Sequence, residues 1–177
     1  WECVDWMYGQ MKRTCKHLRI PTPRTKYLQQ KEKYFTYMRM RKKPWPLTVK
    51  RNRSLLHLLN KLLRLQEKIE DQHRSWIKFP ERFYARKRII RTVLYQQLQI
   101  FKTHTTVPDR IVSIAKSYVR TIIRVKEVKK VEFGAKVNMI QADGINFIEH
   151  ISFDNFNEST RLVSSVWYSR TLFGKIT

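Results

Sequence analysis

The sequence predicts an α+β chain in which a basic helical region, residues 1–104, is followed by a β-hairpin and a helix, residues 105–177. Three observations carry this expectation. Apolar residues recur at three- and four-residue steps through the first hundred positions, the period of a helix with one buried face. Two alternating apolar runs then flank Asp143-Gly144, as expected of strands joined by a tight turn. The charge changes between the two regions. Residues 1–104 hold 26 Lys/Arg against 7 Asp/Glu, a balance of +19, whereas residues 105–177 hold 11 against 7, a balance of +4.

The first helix is expected to run to about Arg19, with Val4, Met7, Tyr8, Met11, Cys15 and Leu18 on one face. Pro21 and Pro23 end it, since proline has no amide hydrogen and restricts the residue before it. A second helix covers roughly Lys26 to Lys43, with Tyr27, Tyr34, Phe35 and Met38 apolar, and Pro44 and Pro46 following it. A third spans about Ser54 to Asp71 on a stripe of Leu55, Leu58, Leu59, Leu62 and Ile69. The fourth spans Glu81 to about Phe101 on Phe83, Ile90, Val93, Leu94, Leu98 and Phe101. These two stripes read as antiparallel packing partners joined around Trp76 to Pro80.

In the second region a short β-branched stretch, Ile111 to Ile114, precedes a basic connector. One strand is then expected from Val131 to Ile140, with Val131, Phe133, Ala135, Val137 and Met139 on one face and Glu132, Lys136 and Asn138 on the other. The return strand runs from Ile145 to Phe153. The last helix, Glu158 to Phe173, has Asn157 as N-cap and Gly174 beyond its end.

Hydrophobic residues make up 42% of the chain and aromatics 12%, enough to build a core and to argue against disorder. The formal net charge of +23 far exceeds the roughly 2–8 units that solubility needs, and it points to a polyanion as partner. From Lys12 to Arg53 there are fifteen basic residues and a single acid, Glu32. The candidate phosphate contacts in this stretch are Lys12, Arg13, Lys16, Arg39, Arg41, Lys42, Lys43, Lys50, Arg51 and Arg53. Arg124, Lys126 and Lys136 join them from the second region. Cations meet phosphates directly, and the interleaved tyrosines either pack against sugars or pack on neighbouring helices.

Two cysteines, Cys3 and Cys15, cannot make a disulfide framework, and no second Cys/His pair follows them and His17 at zinc spacing. They read as reduced thiols. No apolar run reaches membrane-spanning length, and no signal peptide is evident, so a cytoplasmic protein without a membrane partner is expected. Neither Trp1 nor Thr177 has the polar surroundings of a natural terminus, and both ends read as cuts. The acids of the second region are Asp109, Glu127, Glu132, Asp143, Glu149, Asp154 and Glu158. No pair among them makes a two-metal site, so no catalytic residue and no metal ligand is assigned.

The run Pro108-Asp109-Arg110-Ile111-Val112-Ser113-Ile114, then Val131-Glu132-Phe133-Gly134-Ala135-Lys136-Val137, then Gly144-Ile145-Asn146-Phe147-Ile148-Glu149-His150-Ile151-Ser152 with Phe156-Asn157-Glu158, resembles bacterial insertion-sequence transposases of the DDE type. The helical half is similar to that family's basic insertion. The resemblance implies a ribonuclease H-like domain, here partial and lacking its first and fourth strands. It also implies divalent metal, Mg, in the full-length parent, and DNA as partner, both element ends and target. A dimeric DNA complex is left open, and the compartment would be the bacterial cytoplasm, at the nucleoid. By the same resemblance the first catalytic Asp precedes Trp1, and the second Asp and the Glu follow Thr177. The chain departs from the family pattern at Thr121, where a Pro is usual, and at Val125 and Ser159, where Gly is usual. Those exchanges alter loop geometry, because Pro and Gly set special backbone angles. The alternatives are a non-catalytic basic helical protein that binds nucleic acid, and a purely structural helical bundle. The second leaves the +19 of residues 1–104 without a purpose.

Overall fold

The structure, a computed structural model, describes residues 1–123 and 131–174, with the side chains of 121–123, 131 and 132 left aside. The chain is α+β and divides into two compact units, Trp1–Pro108 and Asp109–Thr177.

The first unit consists of α1 (Glu2–His17), α2 (Tyr27–Arg39), α3 (Trp45–Gln72) and α4 (Glu81–Thr103). α3 is central and packs against the other three. Val4, Met7, Met11 and Cys15 of α1 are buried, as are Leu58, Leu59, Leu62, Leu63 and Ile69 of α3 and Phe83, Ile90 and Leu94 of α4. Each such Val, Leu, Ile, Met or Phe side chain contributes about 1.5–3 kcal/mol by leaving water. α3 and α4 run antiparallel, since Glu67 pairs with Arg91 and Glu70 with Lys87. Lys87 reaches both oxygens of Glu70, at 2.9 and 2.7 Å, and its side chain is almost wholly buried.

Two helix bounds differ from the expectation. α2 stops at Arg39, where Met40 turns to an extended conformation and Lys43 Nζ donates to the Met40 carbonyl at 3.2 Å. α3 begins at Trp45, well before Ser54, because Pro46 falls in its first turn. There the missing amide hydrogen would have had no helical partner in any case. Lys50, Arg51 and Arg53 therefore sit on α3, not in a loop.

In the second unit, Ile111 to Ile114 form no strand. Ser113 Oγ accepts the amides of Ala115 and Lys116 at 3.3 Å each, and this local turn competes with extension. β1 (Thr121–Ile123) pairs antiparallel with β2 (Val131–Phe133), a pairing the sequence did not announce. The expected single strand from Val131 is broken at Gly134, whose φ of 142° only glycine adopts without strain. β3 (Lys136–Ala142) then pairs antiparallel with β4 (Ile145–Ser152) through Asp143-Gly144, both with positive φ as a two-residue hairpin requires. A bulge between Asn138 and Met139 leaves Glu149 as an extra residue on β4.

Asn157 Oδ1 accepts the Ser159 amide at 3.1 Å and opens a 3-10 turn, Glu158–Arg161, that leads into α5 (Leu162–Phe173). α5 lies on one face of the hairpin. Asn138 Nδ2 donates to Ser165 Oγ at 2.9 Å, and the Phe147 and Phe173 rings meet edge to face at 5.1 Å. The covered face of β3 is therefore the one with Lys136 and Asn138. The apolar face is the open one: Met139 sits opposite Ile148, Val137 opposite Ile151, and Met139, Ile148 and Ile151 are each nearly 60% exposed. The outer side of α5 is open as well, at Leu162, Val163 and Trp167.

Candidate nucleic-acid interface

On α1 the buried stripe leaves Lys12, Arg13 and Lys16 on the outward side, all exposed. A second group forms where α2 meets α3. Tyr37 and Thr48 share a hydrogen bond between their hydroxyls at 2.8 Å, tying the end of one helix to the start of the next. Arg39, Arg41, Lys42 and Lys43 lie around this joint and are exposed, and Lys50 and Arg53 follow, exposed, on α3; Arg51 is half-buried. The Lys43 ammonium lies over the Tyr37 ring at 5.7 Å and the Arg53 guanidinium over the Phe101 ring at 5.8 Å, so each charged group is positioned by a ring while its residue stays exposed. Positive groups held this way can meet phosphates with little further ordering.

The tyrosines of α2 are used within the protein. Tyr27 is buried, stacks on Tyr8 at 3.7 Å and donates its hydroxyl to Asp5 Oδ1. Burial first, and then that carboxylate, push its phenol well above the usual range. Tyr34 stacks on Trp1 at 5.0 Å. These rings join α1 to α2.

In the second unit Lys136 is engaged internally: its ammonium donates to the Phe156 carbonyl, lies 4.9 Å from the Phe156 ring centre and is 3.3 Å from Glu158. Arg124 and Lys126 lie outside the described residues. Sequence reasoning missed Arg82 and Arg86 at the start of α4, which share a cavity wall with Arg13 of α1. Their spacing of four residues is a signal, hidden by the general abundance of cations.

One carboxylate of the second unit has a structural role. Glu149, its side chain only 4% exposed, is paired with Arg161 and accepts from Asn138 Nδ2 at 2.9 Å. Those two donors hold its carboxyl below the usual range. Among the described residues no group of three His, Cys, Asp or Glu could hold a metal ion. The divalent metal implied by the resemblance thus finds no ligand set in these residues, and no chemical step is assigned to them. Cys15 is buried and Cys3 half-buried, and burial pushes both thiols up, which keeps them protonated. No helix among the described residues is long and apolar enough to cross a membrane. Compared with protein families, with curated proteins and with solved structures, the chain matches none of them.

Proposed function

We propose that this chain is an internal part of a DDE-type insertion-sequence transposase, and that its first unit grips the DNA backbone. The observation that carries the binding reading is the placement of the cations. The helical unit, whose residues 1–104 carry a balance of +19, buries a leucine and methionine core and exposes Lys12, Arg13 and Lys16 on α1, Lys50 and Arg53 on α3, and four cations at the α2–α3 joint. Such a surface repels itself unless a polyanion neutralises it. The transposase reading is supported by the Glu132-to-Val137 and Gly144-to-His150 sequence pattern, of which Lys136-Val137 and Ile145-to-His150 lie on a hairpin followed by a helix. It is also supported by the second unit's open apolar faces, which suit a ribonuclease H-like sheet continued by further strands and covered by further helices. In that reading the carboxylates that would hold divalent metal lie outside residues 1–177, so catalysis belongs to the parent and DNA contact to this part. The alternative of a non-catalytic nucleic-acid-binding protein draws on one observation, the first unit's own closed core.

The test is binding to duplex DNA across a salt series. Neutralising about six phosphates gives a slope near −5 in log affinity against log salt. Replacing Arg41, Lys42 and Lys43 together by Gln should flatten it by about 3, one for each contact removed. An affinity independent of salt would refute the reading.

A further inference from the structure

The first unit contains a cavity of about 540 Å³ between α1 and the start of α4. Trp6 and Arg13 wall it from α1, and Phe79, Arg82, Phe83 and Arg86 from the other side. Its volume is in the range of small-ligand sites, roughly 300–1,000 Å³. The rings form a continuous stack: Trp6 on Phe83 at 5.8 Å with planes 29° apart, and Phe83 on Phe79 at 4.2 Å and 19°. The Arg86 guanidinium lies 5.9 Å from the Trp6 ring centre. Among the described residues no acid lines the cavity.

A ligand that satisfies both halves of this wall must combine a flat ring with an anion. A hydrocarbon would leave three guanidiniums facing it, and a bare phosphate would leave the ring stack unused. A nucleotide has both parts, and aromatic side chains accept any base because every base has a π face. Gln10, also on the wall, offers an amide donor and acceptor to a base edge. Lys12 and Lys16 flank Arg13 on α1 and are exposed, so the cations continue past the cavity. A strand of successive phosphates uses that continuation and a free mononucleotide does not. We propose that this cavity receives an unpaired nucleotide of a DNA strand, its base against Trp6 or Phe79 at the ends of the ring stack and its phosphate among Arg13, Arg82 and Arg86. This rests on the DNA-binding reading above and adds a recognition element to it.

The experiment compares the full chain's affinity for a fully paired duplex and for the same duplex with one unpaired central adenine, by fluorescence anisotropy. The unpaired site should be preferred by about tenfold, the scale of one base stacked on an aromatic side chain. Trp6→Leu should bring that ratio to about one, with circular dichroism reporting the fold. If Trp6→Leu does not fold, Arg86→Gln decides, and it should lower the ratio several-fold. Equal binding of both duplexes by the unaltered chain would overturn the proposal while leaving backbone binding standing. Binding to neither would refute the DNA reading and this assignment with it. Deoxyadenosine monophosphate binding more tightly than the unpaired duplex would overturn the assignment to a strand.

Discussion

Glu149 shows how a single carboxylate can be read two ways. On the sequence it is one acid among seven in residues 105–177, next to His150 and open to a catalytic or a structural role. In the fold it is the extra residue of a bulge, nearly buried, with Arg161 and Asn138 as partners. The bulge is what sequence reading cannot supply, because a strict two-residue alternation assigns the side chain without it. Glu149→Gln should cost about 1–3 kcal/mol at neutral pH, since the buried donors lose a charged acceptor. The pH dependence follows from the lowered carboxyl. The stabilisation is complete above the unfolded value, near 4.3, and is lost as pH falls through the lower folded value. Denaturant melts of the unaltered chain and Glu149→Gln should therefore differ at pH 7 and converge towards pH 3. A gap that stays constant over that range would contradict this role.

Helices and turns differ in how much of them the sequence reveals. The leucine stripe of α3, the Asp143-Gly144 turn and the Asn157 cap are legible because each is a local requirement met by a few neighbouring residues. Pro44 and Pro46 are ambiguous, since proline suits both the residue after a helix and the first turn of one. Here they open α3. The strand break at Gly134 and the β1–β2 pairing depend on non-local contacts, which periodicity does not encode. Neither does it encode Lys87, a cation within the basic region that faces inward to Glu70 across α3 and α4. Lys87→Ala should cost about 3–5 kcal/mol, because it leaves Glu70 largely buried without a partner. Replacing the pair together, Lys87→Met with Glu70→Leu, should be near neutral or stabilising. Thermal melts of the two variants separate an ion pair that merely has to be satisfied from one that adds stability. Leu62→Ala, at a wholly buried position of the same helix, should cost about 2–5 kcal/mol by leaving a cavity.

The two units of the molecule are unlike each other. The first closes a core and exposes charge; the second leaves Met139, Ile148 and Ile151 of its hairpin and Leu162, Val163 and Trp167 of α5 open to solvent. Apolar surface of that kind binds hydrophobic dyes and promotes association. Met139→Thr with Ile148→Lys should lower dye fluorescence and self-association without loss of helical signal; unchanged dye binding would place the exposed surface elsewhere. In the sequence the candidate interface is visible as a run of cations, but the run does not say which ones fold inward. Lys87 turns inward to Glu70 and Lys136 to Phe156 and Glu158, while Arg82 and Arg86 line a cavity with Arg13. The proposal that joins these observations, an internal part of a DDE transposase, is tested most directly by reading the DNA on both sides of this coding sequence. The account predicts one continuous frame with an Asp-bearing strand upstream of Trp1 and an Asp and a Glu downstream of Thr177. A frame that closes without those carboxylates would contradict it and leave a basic protein that binds nucleic acid without cutting it.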